Sequence, residues 1–158
     1  MTNAGSCDDE FPVQGRLAGI DFGTVRIGLA VSDPDRRLAS PYEIYHRRSL
    51  AADAEYFRRF VREERIAGLV VGLPVHPSGE ESQKSAEVRA FGKWLNEITG
   101  LAVRFYDERY TSVLAEQSML EARLSRKRRK ARLDKVAAQL ILAAYLEATH
   151  HDAPESLS

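Results

Sequence analysis

Residues 67–73 read Ala-Gly-Leu-Val-Val-Gly-Leu, with no polar side chain among them. A stretch so short and so continuously apolar is the mark of a strand covered on both faces. Such a strand sits inside a sheet that carries helices above and below it, and the rest of the chain supplies both. Residues 16–22 and 26–32 read as two strands joined at Gly23-Thr24, a hairpin signal. Residues 38–45 offer a third strand, in which Pro41 confines the first part to an edge or a bulge. Ser49 can cap a helix whose apolar face is Tyr56, Phe57, Phe60 and Val61. After the apolar strand and a loop at 74–79, Val88, Phe91, Leu95 and Ile98 mark a long helix that Gly100 stops. Residues 101–106 alternate into a further strand, and Thr111 or Ser112 can cap the helix after it. A last helix is expected over 133–148, with Ala137, Leu140, Ile141, Ala144 and Tyr145 as its stripe. Three strands followed by alternating helix and strand define an α/β domain: an antiparallel meander continued by two parallel strands, flanked by helices.

At 158 residues the chain fits one domain large enough for a real core. The polar ends, 1–13 and 150–158, read as tails around a domain at 14–149. Lys+Arg and Asp+Glu number 23 each, so net charge does not announce a nucleic-acid partner and only its distribution can. The lone Cys7 has no internal partner for a disulfide, which suits a reducing compartment. No apolar run approaches the roughly 20 residues of a membrane span; the longest candidate, 140–146, is far shorter. A soluble cytoplasmic protein is expected, with no membrane partner.

Three acids stand out by position. Asp21 ends a strand in Ala18-Gly19-Ile20-Asp21-Phe22-Gly23, and Glu108 follows the strand 103–106. Carboxyl ends of strands in open α/β sheets are where ligands bind. Asp134 begins the expected last helix, and Ala137, Ala138 and Ile141 at i+3, i+4 and i+7 put it on the apolar face. A carboxylate aimed at a core is costly unless paired or bound to metal. Three from distant segments can hold Mg²⁺ or Mn²⁺ through oxygen ligands. Two ions about 4 Å apart can then activate water against a phosphodiester. Each acid also has a purely structural reading: Asp21 as a turn residue, Asp134 as a helix N-cap, Glu108 paired with Arg104 or Arg109. Spacing suggests convergence without showing it.

At these residues the chain resembles a known family. Gly19-Ile20-Asp21-Phe22-Gly23-Thr24-Val25-Arg26-Ile27-Gly28-Leu29-Ala30-Val31-Ser32-Asp33 is similar to the opening motif of the YqgF/RuvX family. Three further blocks agree in order and spacing: Val71-Gly72-Leu73-Pro74 with Gly79 and Ser82; Asp107-Glu108-Arg109-Tyr110-Thr111-Ser112; and Asp134-Lys135-Val136-Ala137-Ala138. The resemblance spans roughly residues 16–147 and departs only in the tails and at Val75-His76-Pro77. It implies an RNase H-like fold similar to that of the resolvase RuvC. It also implies a metal-dependent nuclease with Asp21, Glu108 and Asp134 as catalytic acids and metal ligands. Maturation of the 16S rRNA 5′ end and cleavage of branched DNA are the activities proposed for the family. Structured pre-rRNA is the expected substrate on that basis, with branched DNA as the runner-up.

The charge distribution offers candidates for holding nucleic acid. Arg126, Lys127, Arg128, Arg129 and Lys130 form a run without an intervening acid, just before Asp134. Such a run can neutralise several phosphates, although charge runs are often simply solvated. Arg26 and Arg109 lie beside two of the acids and can contact the scissile phosphate or pair with those acids. Gly72-Leu73-Pro74 with Ser78-Gly79 can present backbone N–H groups to a phosphate or be an ordinary strand-to-helix loop. His76 can carry a proton near neutral pH, or stand idle.

Two other classes compete. An ATP-binding enzyme of the actin and sugar-kinase type also places an Asp-x-Gly after a strand, but needs two lobes and a second phosphate motif. A non-catalytic ribosome-assembly factor explains the basic run but leaves the three acids without a purpose. A monomer is expected, since no exposed apolar helix face asks for a partner.

Overall fold

The computed structural model describes residues 11–74, 83–107 and 126–152, and the side chains of all of these except 126–135 and 150–152. Its elements are β1 (Arg16–Asp21), β2 (Arg26–Ser32), β3 (Ala39–His46), α1 (Leu50–Glu63), β4 (Ile66–Leu73), α2 (Gln83–Thr99), β5 (Val103–Asp107) and α3 (Arg126–Asp152). The strands form one sheet in the order β3-β2-β1-β4-β5. The β1–β2 and β2–β3 pairs are antiparallel, whereas β1–β4 and β4–β5 are parallel. This is the expected mixed sheet.

The apolar strand is β4, lying between β1 and β5. Its alternate residues enter two separate cores, as double cover requires. Leu69, Val71 and Leu73 join Ile20, Ile27, Leu29, Phe57, Phe60, Val88, Phe91 and Leu95 on the side of α1 and α2. Val70 joins Leu17, Ala30, Ala138, Ile141, Leu142, Tyr145 and Leu146 on the side of α3.

Local chemistry explains the element ends. The Ser49 side chain accepts a hydrogen bond from the Ala52 N–H at 3.1 Å and so starts α1. Gly100 ends α2 with φ of +76°, the left-handed conformation that glycine adopts without strain. Pro41 lies on the edge strand, where its missing N–H costs nothing. The register slips beside it: Glu43 faces Leu29 and Pro41 faces Ala30, leaving Tyr42 as the extra residue of a bulge.

The last helix departs from expectation. It begins at Arg126 rather than near 133 and runs to Asp152. Apolar periodicity is blind to its first two turns, because residues 126–130 are all Arg and Lys. Those residues are nonetheless good helix formers, with no Gly or Pro among them. Its buried stripe is Ala138, Ile141, Leu142, Tyr145 and Leu146, while Ala137, Leu140 and Ala144 are only half-buried. The expected stripe was thus centred about one residue early. At the other end, Phe11 and Pro12 fall in the stretch read as a tail, yet they pack. Both lie against Gly68, and the Phe11 ring meets Tyr145 edge-on at 6.1 Å. Among the described residues no helix is long and apolar enough to cross a membrane.

Candidate functional site

Because β1, β4 and β5 are parallel, their carboxyl ends share one edge of the sheet. Asp21 is the last residue of β1, and Asp107, opposite Leu73, is the last of β5. Glu108 is the next residue and lies outside the described ones. One strand separates β1 from β5, so their ends stand about 10 Å apart, two inter-strand spacings. Strand alternation decides which face Asp21 occupies. Ala18 and Ile20 enter the α1/α2 core and Leu17 the other, so Asp21 belongs to the α3 side.

On that side α3 lies unusually close. A Cβ added to Gly19 would meet the Leu142 Cβ at 2.7 Å and the Ala138 carbonyl oxygen at 2.8 Å. The absence of a side chain there lets the helix backbone rest on β1. Gly28 pairs with Asp21 across the β1–β2 hairpin. A Cβ at Gly28 would lie 3.6 Å from both the Asp21 Cβ and the Ala138 Cβ. Leu142 over Gly19 and Ala138 over Gly28 give the helix its heading, toward the carboxyl end of β1 as residue number falls. Position 134 lies one turn, about 6 Å, further along that heading. It continues the stripe of 138, 141, 142 and 145. The side chain of Asp134 lies outside the described ones. Its place in the helix is a correction: Asp134 does not begin α3 but sits more than two turns beyond its start, so the N-cap reading no longer applies.

The remaining candidates divide. Arg26, the exposed first residue of β2, lies on the α3 side of the same edge and faces His46 across the β2–β3 ladder. Arg126, Lys127, Arg128, Arg129 and Lys130 occupy the first turns of α3, with side chains outside the described ones. Arg109 lies outside the described residues, as do Val75, His76, Pro77, Ser78, Gly79 and Ser82, so the phosphate-loop reading does too.

Asp21 brings to this edge the oxygen donor that a hard divalent cation prefers. Gly28, the cross-strand partner of Asp21, carries no side chain at this edge.

Sequence reasoning missed a second acid nearby. Asp53, in the first turn of α1, is only 1 % exposed. Its carboxylate accepts the Tyr45 hydroxyl at 2.6 Å, the Arg48 N–H at 2.9 Å and the Arg47 Nε–H at 3.2 Å. Burial alone raises this carboxyl. The bonds from Tyr45, Arg48 and Arg47 outweigh it and hold the group below its ordinary range. The same burial, with the bond to Asp53, pushes the Tyr45 hydroxyl up to about 12. Arg47 also stands over the Phe22 ring at 5.4 Å and the Phe91 ring at 5.8 Å, just past Asp21. The signal was present in the sequence: Asp53, Phe57 and Phe60 fall at i, i+4 and i+7, the pattern that singled out Asp134.

A mixed five-stranded sheet of this order, flanked by helices, is an RNase H-like fold. The fold of "T. thermophilus RuvC in complex with Holliday junction substrate" matches it with a TM-score of 0.51 at 16% identity, over 86% of this chain and 96% of that one. The chain belongs to the RuvX family, described as "Holliday junction resolvase", which it matches over residues 15–148. A Rhodopirellula baltica protein is 48% identical over 150 residues, covering 95% of this chain and 87% of that protein. One from Rhodobacter capsulatus is 44% identical over 140 residues, covering 89% and 88%. Both carry the name "Putative pre-16S rRNA nuclease". The class is therefore that of hydrolases acting on phosphodiester bonds.

Proposed function

We propose that this chain is a cytoplasmic, monomeric, divalent-metal-dependent endonuclease that processes the 5′ end of precursor 16S rRNA. The observation that carries the reading is the approach of α3 to β1 at Gly19. It brings the backbone at 134 toward the edge where Asp21 and the end of β5 already lie. In this reading Asp21, Glu108 and Asp134 hold Mg²⁺ or Mn²⁺, which supplies Lewis acidity for phosphodiester hydrolysis when bound. One of the three carboxylates orients the attacking water. Arg26 and Arg109 contact that phosphate. Arg126, Lys127, Arg128, Arg129 and Lys130, at the start of α3, bind flanking phosphates and make affinity fall with salt.

The substrate follows the names of the relatives at 48% and 44% identity. Resolution of four-way DNA junctions is the second reading, favoured by the family's description. A non-catalytic assembly factor is the third. Incubating the protein with precursor 16S rRNA and with a four-way DNA junction, in Mg²⁺, in Mn²⁺ and in EDTA, separates the three. Metal-dependent cutting of the rRNA is expected. Cutting of the junction alone moves the assignment to resolvase. Binding without cutting of either leaves the assembly factor.

A further inference from the structure

The end of β3 and the turn into α1 form a basic corner beside Asp21, of which the nuclease reading uses only Arg26. Arg26 and His46 are direct partners across the β2–β3 ladder, so their side chains share a face. Ile27 and Tyr45, the next pair, enter the α1/α2 core. Arg26 and His46 therefore lie on the α3 side, the side of Asp21, and both are exposed. Arg48, two residues beyond His46, is exposed as well. The only acid within the turn and the first helical turn after it is Asp53, which is buried.

The corner is also held rigidly. The Arg47 N–H donates to the Val25 carbonyl at 3.0 Å, tying the turn to the hairpin tip that follows Asp21. The Arg48 N–H donates to Asp53, and the Arg47 guanidinium is fixed between Asp53 and the Phe22 and Phe91 rings. Ser49 already caps α1, so helix capping does not require the Asp53 contacts. A buried carboxylate that fixes the Arg47 guanidinium and the Arg48 backbone N–H beside the Asp21 edge has the form of preorganisation. Cationic side chains set on a rigid turn lose less freedom when they take up a phosphate. Two exposed apolar side chains, Val25 at 69% and Leu50 at 63%, flank the corner and offer contact to sugar or base.

We propose that Arg26, His46 and Arg48 form a phosphate-binding corner that receives the RNA strand as it leaves the Asp21 edge on the β3 side. The proposal rests on the nuclease reading, because it takes Asp21 to mark where the strand is cut. The occupant is a nucleic-acid backbone, since the exposed groups are donors and cations at successive positions along one edge, complementary to a row of phosphates.

The test uses the full chain and a fluorescein-labelled RNA carrying the 5′ precursor segment of 16S rRNA. Binding is followed by anisotropy in EDTA across a salt titration, for the wild type, Arg48→Gln and the double variant His46→Gln/Arg48→Gln. These positions are exposed, and thermal melting of each variant checks that the fold is kept. The double variant is expected to bind about tenfold more weakly at physiological salt. Its plot of log affinity against log salt should be shallower by about one unit, the loss of one cationic phosphate contact. Unchanged affinity and slope in the double variant overturn the proposal, and so does a wild type that does not bind the RNA. Cleavage in Mn²⁺, measured separately, reports on the nuclease reading. A wild type that binds with the expected variant effects but never cuts retires that reading and leaves the corner standing as an RNA-binding surface.

Discussion

The two faces of the sheet are built on opposite plans. The α1/α2 face is filled with bulk: the Phe57 ring meets Tyr45, Tyr56, Phe91 and Trp94 with centroids 5.3–6.2 Å apart, mostly edge to face. Where this face uses a glycine, Gly92 of α2, it makes room for the Phe105 side chain. The α3 face is thin. Gly19 removes a side chain so that the helix backbone itself can lie on β1. A thick aromatic layer buries more area and contributes more stability. A thin one sets a helix at a defined height above the carboxyl edge, and a site assembled from a sheet and a helix needs that height. The first face mainly holds the fold, and in the proposed reading the second positions the acids.

The sharpest way to break this division is to weaken each face separately. Phe57 is fully buried, and Phe57→Ala should cost about 4 kcal/mol in chemical denaturation. Cleavage by the fraction that remains folded should stay within a few-fold of wild type. Gly19→Ala should do the reverse. Crowding α3 away from β1 costs up to about 3 kcal/mol, but cleavage at a temperature where the variant is fully folded should fall by more than tenfold. Equal catalytic losses in the two variants would erase the distinction between the faces.

Smaller effects map the α1/α2 face more finely. Tyr45→Phe removes a hydrogen bond to a buried carboxylate, worth about 2 kcal/mol. It should also change the alkaline limb. The Tyr45 hydroxyl lies above its ordinary value of 10 in the folded protein, so its contribution is fully present below pH 10. That contribution is lost as pH rises toward 12. The difference in stability between wild type and Tyr45→Phe should shrink across that window. The smallest effect is the helix cap: Ser49→Ala should cost about 1 kcal/mol by thermal melting, with cleavage unchanged.

Much of this architecture was legible in the sequence, because each face leaves a pattern. Continuous apolar character announced β4, a Gly-Thr turn announced the hairpin, and Pro41 marked the edge strand. What was not legible depended on tertiary context. The start of α3 was misplaced because Arg and Lys carry no apolar period, although they favour helix. Asp53 and Asp134 share one signature, an acid on an apolar helical stripe, and the signature alone cannot tell a structural anchor from a candidate ligand. Only the partners decide: Asp53 finds Tyr45, Arg47 and Arg48 inside the fold. Gly19 was visible as part of a motif. Its use as a seat for α3 required knowing which helix crosses it.

The most direct measurement of the central claim is the rate at which Asp21→Asn cuts precursor 16S rRNA in Mn²⁺, beside the wild type and with the melting temperature of each. If Asp21 anchors the metal at the thin face, the rate should fall by about a thousandfold or more, because a ligand charge worth several kcal/mol in the transition state is lost. The melting temperature should hold or rise, because in the proposed reading one carboxylate is removed from a cluster of three. A variant that cuts within a few-fold of the wild type would contradict the account and send the search for the reactive centre elsewhere.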